Sequence, residues 1–536
     1  MYIIYAFLHR YCLGYTIKSM AKDAFYVTTP IYYVNDVPHI GHAYSTVAAD
    51  VLARFNRCLG NNTFFLTGTD EHGQKVARAA AAKELTPKQH TDQMVKPFKD
   101  LWKRLNISYD RFIRTTDKDH EEMVQAIFNK LKEQGDIYAG HYEGWYCVHE
   151  ETFYPESQLE DGNKCPECKR EVEWVKEENY YFKVKKYLPG LLKLIKAGDF
   201  NILPQTRQNE VVSLIESGSL EDVSISRTGI KWGVPVPGDP EHVIYVWFDA
   251  LLNYLSGIGY HPNNNKQKPT FNGYWPADVQ IIGKDILKFH CIIWPAMLLA
   301  LGLELPEMIF AHGFLTLGQE KISKSKGMVI NPNDLIDKYG ADAYRYFFLS
   351  EFTFGLDGEY TEETMIKKIN SDLANDLGNL VHRTANMMQK YFDGVVPAEI
   401  KNGDNWFAMH IKHPENNAEA MKATLGQLWF RLALESIWGN VRILNKYIED
   451  SAPWALKKEG REEELATVMY TLAEGIRIIS QLIYPFMPET AQKIWEQIGM
   501  PGNVADEPFD NVAKWGLLKP DSTFKVSEPL FPRIEV

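Results

Sequence analysis

Between Ala24 and Phe310 the chain repeatedly sets a short β-branched or aromatic run before a stretch of helical apolar period, and few folds accommodate that alternation. Phe25-Tyr-Val-Thr-Thr29, Thr63 to Leu66, Val243-Ile-Tyr-Val-Trp-Phe248, Val279-Gln-Ile-Ile282 and Met308-Ile-Phe310 read as strands, and Ala43, Val47, Val51, Leu52 and Phe55 as one helical face. Strands joined through helices run parallel, so the pattern predicts an open α/β fold with a Rossmann-type parallel sheet. From about Ile137 to Val243 aromatic, Gly, Pro and Cys residues interrupt the pattern and predict an irregular inserted module. Beyond Ser371 the period is almost entirely helical, with a final tail rich in Pro, Gly, Asp and Lys expected to pack back on the body. The expected organisation is an extension (1–20), two halves of an α/β domain (21–136 and 244–314), an insertion (137–243), a loop-bearing region (315–370) and a helical domain (371–536).

Other classes are excluded by simple arithmetic. The longest apolar run, Cys291 to Leu303 with Pro295 and Gly302 inside it, falls short of the roughly 20 residues a membrane-spanning helix needs. In 536 residues, 45% are hydrophobic and 24% charged, which is globular usage with room for several cores. The net charge of -12 means that nucleic acid must be met by a local basic patch. Six cysteines, three of them between Cys147 and Cys168, do not form a disulfide framework and point to a reducing, cytoplasmic compartment. The first nineteen residues hold Arg10 and Lys18 and no acidic residue; a cleaved organellar presequence and a start codon upstream of Met20 both fit.

Two motifs carry chemistry. His39-Ile-Gly-His42 stands where a loop enters a helix, and there free backbone N–H groups and the helix dipole favour phosphate. Gly41 lets a flat base approach the backbone. Lys321-Ile-Ser-Lys-Ser-Lys326, followed by Gly327, puts three lysines and two hydroxyls on a loop able to close on a polyphosphate. Either alone also fits an ordinary polar helix start or a solvated basic loop.

Together the motifs resemble the HIGH and KMSKS signatures of class I aminoacyl-tRNA synthetases, the second with Ile322 in place of Met. The resemblance to the methionyl-tRNA synthetase family extends over Pro30-Ile-Tyr-Tyr-Val-Asn35, Thr67-Gly-Thr-Asp-Glu-His72, Tyr245-Val-Trp-Phe-Asp-Ala250, Gly283-Lys-Asp-Ile286, Ala311-His-Gly313, Ala452-Pro-Trp454 and Leu530-Phe-Pro-Arg-Ile-Glu535. It implies a methionine-tRNA ligase acting on L-methionine, ATP with Mg²⁺, and tRNA(Met). Asp70 would pair with the methionine ammonium, and Ile31, Tyr33, Trp247, Ala250, Leu251, Tyr254, Ile286, Phe289 and His290 would line the side-chain pocket, with Trp294 close by. His39, His42, Lys321 and Lys324 would carry catalysis, and Gly41, Gly283, Asp285 and His312 would complete the ATP site. Bottom-up chemistry agrees: a thioether has almost no hydrogen-bonding capacity, so its selection falls to aromatic contact and shape.

The insertion offers Cys147, Cys165 and Cys168 as ligands of one structural Zn²⁺, with His149 or Glu150 as the fourth; a metal-free loop with vestigial cysteines is the alternative. In the helical half, Leu373, Leu377, Leu380 and Val381 share a core face, which turns Asn375, Asn379 and Arg383 outward. These three and Trp454 resemble the family's anticodon readers. A nucleotidyltransferase sharing the His-x-Gly-His loop would not need that helical half, and a non-enzymatic tRNA-binding relative would not need His39, Asp70, Lys321 and Lys324. A monomer is expected.

Overall fold

The computed structural model describes residues 24–154, 156–317, 320–321, 330–398 and 414–535. The extension 1–20 and most of the Lys321–Lys326 motif, Lys324 included, lie outside the described residues. Six parallel strands form the central sheet: β1 (Ala24–Tyr33), β2 (Asn62–Asp70), β3 (Arg111–Arg114), β4 (Asn201–Leu203), β5 (Val279–Gly283) and β6 (Met308–His312), in the order β3-β2-β1-β5-β6-β4. Val27 at the centre pairs with Phe65 on one side and Val279 on the other, and all three are fully buried. Chain direction across the sheet reverses between β1 and β5, and ligands of such sheets bind in the crevice opened at that point by the strands' carboxyl ends.

Helix α1 (Ile40–Cys58) leaves the crevice after β1, α2 (Gln74–Ala81) after β2, and α3 (Lys118–Glu133) follows β3. The β1 strand continues past the expected Thr29 to Tyr33, with a register shift between Thr28 and Ile31 that absorbs Pro30. The run Val243–Phe248 is not one strand. Asp239–Ile244 is a strand of a small antiparallel sheet, and α4 (Val246–Leu251) begins at once, Asp249 N–H bonding the Tyr245 carbonyl. Strand propensity there yields to tertiary context, and Trp247 sits on a helix rather than at a strand end.

The insertion also differs from a free-standing module. Its long antiparallel pair, Ile137–Cys147 with Glu173–Phe182, holds Cys147 at one strand end and Cys165 and Cys168 in the connection, but β4, later in the insertion, returns to the central sheet and pairs Ile202 with Ile309. Three residues are too short a run to be read as a strand in advance.

The second half is helical: α5 (Ala341–Glu351), a π-helical turn Ile369–Gly378 running into α6 (Asn379–Phe392), α7 (Phe430–Ser451), α8 (Pro453–Glu459) and α9 (Glu462–Ile483). Leu373, Leu377, Leu380 and Val381 are buried as expected, with Trp438 packed on Tyr346 at a ring distance of 4.3 Å. The tail packs back: Asn370 Nδ2 donates to the Ile534 carbonyl (2.9 Å) and Ile534 N–H returns a bond to Asn370 Oδ1 (2.8 Å). Buried cations join the halves, Arg54 on α1 by a 2.9 Å bond to the Tyr484 hydroxyl among them. Arg345 on α5 pairs with Asp50 on α1 at 2.7 Å and donates to the carbonyls of Leu105, Pro485 and Phe486.

Candidate active site

A cavity of about 380 Å³ opens at the carboxyl ends of β1, β2, β5 and β6. At one end stands the start of α1. His39 is its N-cap, with Nδ1 accepting from Gly41 N–H at 3.1 Å, while His42 Nδ1 accepts from His39 N–H at 3.1 Å. A Cβ on Gly41 would stand 2.9 Å from His39 Cε1, so this reciprocal cap needs glycine. Because both Nδ1 atoms accept, a neutral ring carries its proton on Nε2, and both histidines are donors there. The helix dipole and two imidazole donors together suit an anionic phosphate.

At the same end, His312 Nδ1 donates to the Gly313 carbonyl (2.7 Å), which leaves Nε2 to accept from Ser45 (2.6 Å). Burial lowers the pKa of His312, so the ring is a neutral, fixed wall. Gly283 and Asp285 line the cavity beside it. Lys321 lies in a two-residue strand, Glu320–Lys321, paired antiparallel with Leu315–Leu317.

At the other end the lining is aromatic and apolar: Ile31, Tyr33, Trp247, Ala250, Leu251, Tyr254, Ile286 and His290. Trp247 meets Tyr33 edge-on at 6.3 Å and stacks on Phe289 at 3.8 Å. Phe289 therefore acts through Trp247, and Trp294 backs Tyr254 at 5.7 Å. His290 is kept neutral, its pKa pushed down by burial to about 4. Its Nδ1 donates to the Ile286 carbonyl (3.1 Å) and its Nε2 accepts from the Tyr254 hydroxyl (2.8 Å). This wall offers an unbranched, polarizable side chain contact without charge.

Asp70 ends β2 between the two regions, 3% exposed, with Oδ1 lacking any hydrogen-bond partner. Burial, then repulsion from Asp249 and Glu151, holds its carboxyl well above the usual range. Two of the neighbouring carboxylates are paired, Glu71 with Arg114 at 2.6 Å and Asp249 with His72 and His120 at 2.7 and 2.8 Å, whereas buried Glu151 keeps Oε2 without a partner. A buried carboxylate oxygen left open suits a cationic ligand.

Sequence reasoning did not find Ser45, Lys75 and Asp36, which also line the cavity, nor buried Glu151 beneath it. The Glu151 carboxylate accepts from Lys75 N–H at 3.0 Å and fills the space a Cβ on Gly73 (φ +99°) would need, so the last residue of Asp70-Glu-His-Gly73 must be glycine. Contacts across the insertion boundary leave no local sequence signal.

The cysteines converge. The sulfurs of Cys147, Cys165 and Cys168 all lie within 4.8 Å of one another, and a second such set joins Cys168 with His149 and Glu150. No single set of four forms among the described residues. His149 and Glu150 face the cavity as well. In the helical half Asn375 and Asn379 are exposed, Arg383 pairs with Glu449 of α7 at 2.7 Å, and Trp454 on α8 is 47% exposed.

Known proteins match this arrangement along almost the whole chain. The family model of "tRNA synthetases class I (M)" matches residues 25–385, and that of the "anticodon binding domain of methionyl tRNA ligase" residues 396–536. The methionine–tRNA ligase of Caldanaerobacter subterraneus subsp. tengcongensis is 51% identical over 96% of this chain and 80% of its own length, and that of Halalkalibacterium halodurans 46% over 97% and 79%. Mycobacterium tuberculosis methionyl-tRNA synthetase in complex with methionyl-adenylate superposes with a TM-score of 0.90 at 42% identity, covering 95% of this chain and 100% of that one. With family models over most of its length and relatives at 46% and 51% identity, the chain belongs to the methionyl-tRNA synthetase family of class I aminoacyl-tRNA synthetases.

Proposed function

We propose that the cavity is where this chain carries out the methionine–tRNA ligase reaction: L-methionine and ATP give methionyl-adenylate and pyrophosphate, and the acyl group then passes to the 3′ end of tRNA(Met). The observation that carries the reading is Asp70 Oδ1, buried and without a partner between an aromatic wall and a histidine-capped helix start. Asp70 holds the ammonium, which directs the thioether onto Trp247, Tyr33 and Tyr254 and the carboxylate toward His39. Attack on the α-phosphate needs no side-chain nucleophile. In-line positioning and charge stabilisation suffice. His39 and His42 give Nε2–H donors to the phosphates, with Lys321 and Lys324 as further cations, while Gly41, Gly283, Asp285 and His312 hold the nucleoside. Mg²⁺ carried on the triphosphate supplies charge neutralisation for the departing pyrophosphate.

Three convergent sulfurs suit a thiolate-binding ion, and Cys147, Cys165 and Cys168 would hold one Zn²⁺ with His149 or Glu150 completing it. Its contribution is to rigidity of the insertion. Asn375, Asn379, Arg383 and Trp454 form the anticodon-reading face. Methionine-dependent exchange of pyrophosphate into ATP tests the reading: methionine supports exchange and leucine does not. Exchange equal with both amino acids, or absent with methionine, overturns it.

A further inference from the structure

The wall assigned to methionine comes from two distant parts of the chain. Asp70 ends β2, whereas Trp247, Ala250 and Leu251 ride on α4. One buried carboxylate joins them. Asp249, on α4 between these wall residues, accepts from His72 Nδ1 at 2.7 Å through Oδ2 and from His120 Nε2 at 2.8 Å through Oδ1. His120, on α3, places its Nδ1 2.7 Å from the Ser256 hydroxyl. His72 is two residues beyond Asp70; its Nε2 lies 3.7 Å from Glu121, and its ring meets Trp232 edge-on at 5.3 Å. Asp249 and His120 are fully enclosed and His72 is 2% exposed.

None of these three lines the cavity, so their effect on a ligand must pass through Asp70 and α4. The phosphate-side groups have supports of their own on α1 and β6: His39 and His42 cap each other, and His312 is held by Ser45 and Gly313. We propose that Asp249 and His72 are positioning residues for the amino acid alone, locking the carboxylate that takes the ammonium and the helix that carries Trp247 into one registry. The proposal rests on the reading of the cavity given above. It also accounts for the pairing of Asp249 with two imidazoles, since an unpaired Asp249 would repel Asp70 the more strongly.

The test measures KM for methionine and for ATP separately by pyrophosphate exchange, with thermal unfolding alongside, in the full chain. His72→Leu removes a buried hydrogen bond to a charged group and is expected to raise KM for methionine about ten- to a hundredfold while KM for ATP hardly moves. His72→Asn, whose amide nitrogen reaches toward the Nδ1 position, is expected to recover most of the loss. Asp249→Asn, nearly isosteric, shows the same split with a smaller rise. Both KM values rising together, neither rising, or no rescue by asparagine overturns the proposal. Trp247→Leu separates the two ideas. If it leaves KM for methionine unchanged, the cavity reading falls; if it raises that KM and His72→Leu does not, only the positioning role falls.

Discussion

His39 and His42 stack with ring centroids 3.8 Å apart, and each lends its Nδ1 to a backbone N–H of the first turn of α1. The same two rings thus end a helix and line the cavity. Asparagine is an excellent N-cap but has no donor at the Nε2 position, so His39→Asn separates the two roles. It is expected to leave the unfolding midpoint almost unchanged and to slow pyrophosphate exchange by about 10²- to 10³-fold, the cost of one lost transition-state donor. Exchange within a few-fold of normal would make His39 a cap and nothing more.

Asp70 trades stability for binding. Its folded pKa lies above the unfolded value, so ionising it opposes folding; the opposition is full above the folded pKa and fades as pH falls from there toward the unfolded value. Asp70→Asn is expected to raise the thermal midpoint of the free enzyme and to abolish methionine activation, and methionine will no longer raise that midpoint. For the wild type, the ammonium stays charged through the acid range while Asp70 becomes protonated. KM for methionine should then climb by up to about tenfold per pH unit once the solution falls below the pKa of Asp70. An Asp70→Asn enzyme with lower stability and normal activation contradicts this assignment.

The sulfur cluster gives a count. With three thiols converging on one point, and His149 and Glu150 grouped only with Cys168, the purified protein should hold at most one zinc per chain by elemental analysis. Cys168→Ser, which breaks both sets, should release it and lower the unfolding midpoint, since binding energy of a structural ion is folding energy. Two equivalents of zinc, or a midpoint indifferent to chelator, would refute the arrangement.

Legibility followed the range of the interactions. Local patterns read correctly: the capped start of α1 showed in His39-Ile-Gly-His42, and the buried face of Leu373, Leu377, Leu380 and Val381 showed in its spacing, although the backbone there is π-helical up to Gly378. What the local pattern did not show was decided from a distance. The β-branched and aromatic run Val243–Phe248 reads as a strand with Trp247 at its end, yet α4 forms there, tied by Asp249 to His72 across 177 positions. Strand β4 is three residues long and exists because β6 offers it an edge. Glu151 is buried against Gly73 and Lys75, contacts no one-dimensional period encodes.

The helical face makes the last prediction. Trp454 keeps 47% of its surface exposed although large aromatics usually bury most of theirs, and it follows α7 where Glu449 pairs with Arg383. That pair is half in water, so Arg383 can exchange Glu449 for a phosphate or base at small cost. Stacking of a base on an aromatic ring is worth about 1 to 3 kcal/mol by alanine substitution. Trp454→Ala should accordingly weaken aminoacylation of tRNA(Met) by about one to two decades, while exchange without tRNA stays near normal because His39, Asp70 and Trp247 belong to the other half of the chain. Asn375→Ala should act in the same direction, and tRNA with an altered anticodon should lose nothing further from either change. Exchange and aminoacylation falling together would mean that Trp454 supports the fold of the helical half, and an equal loss on correct and altered anticodons would remove it from base reading.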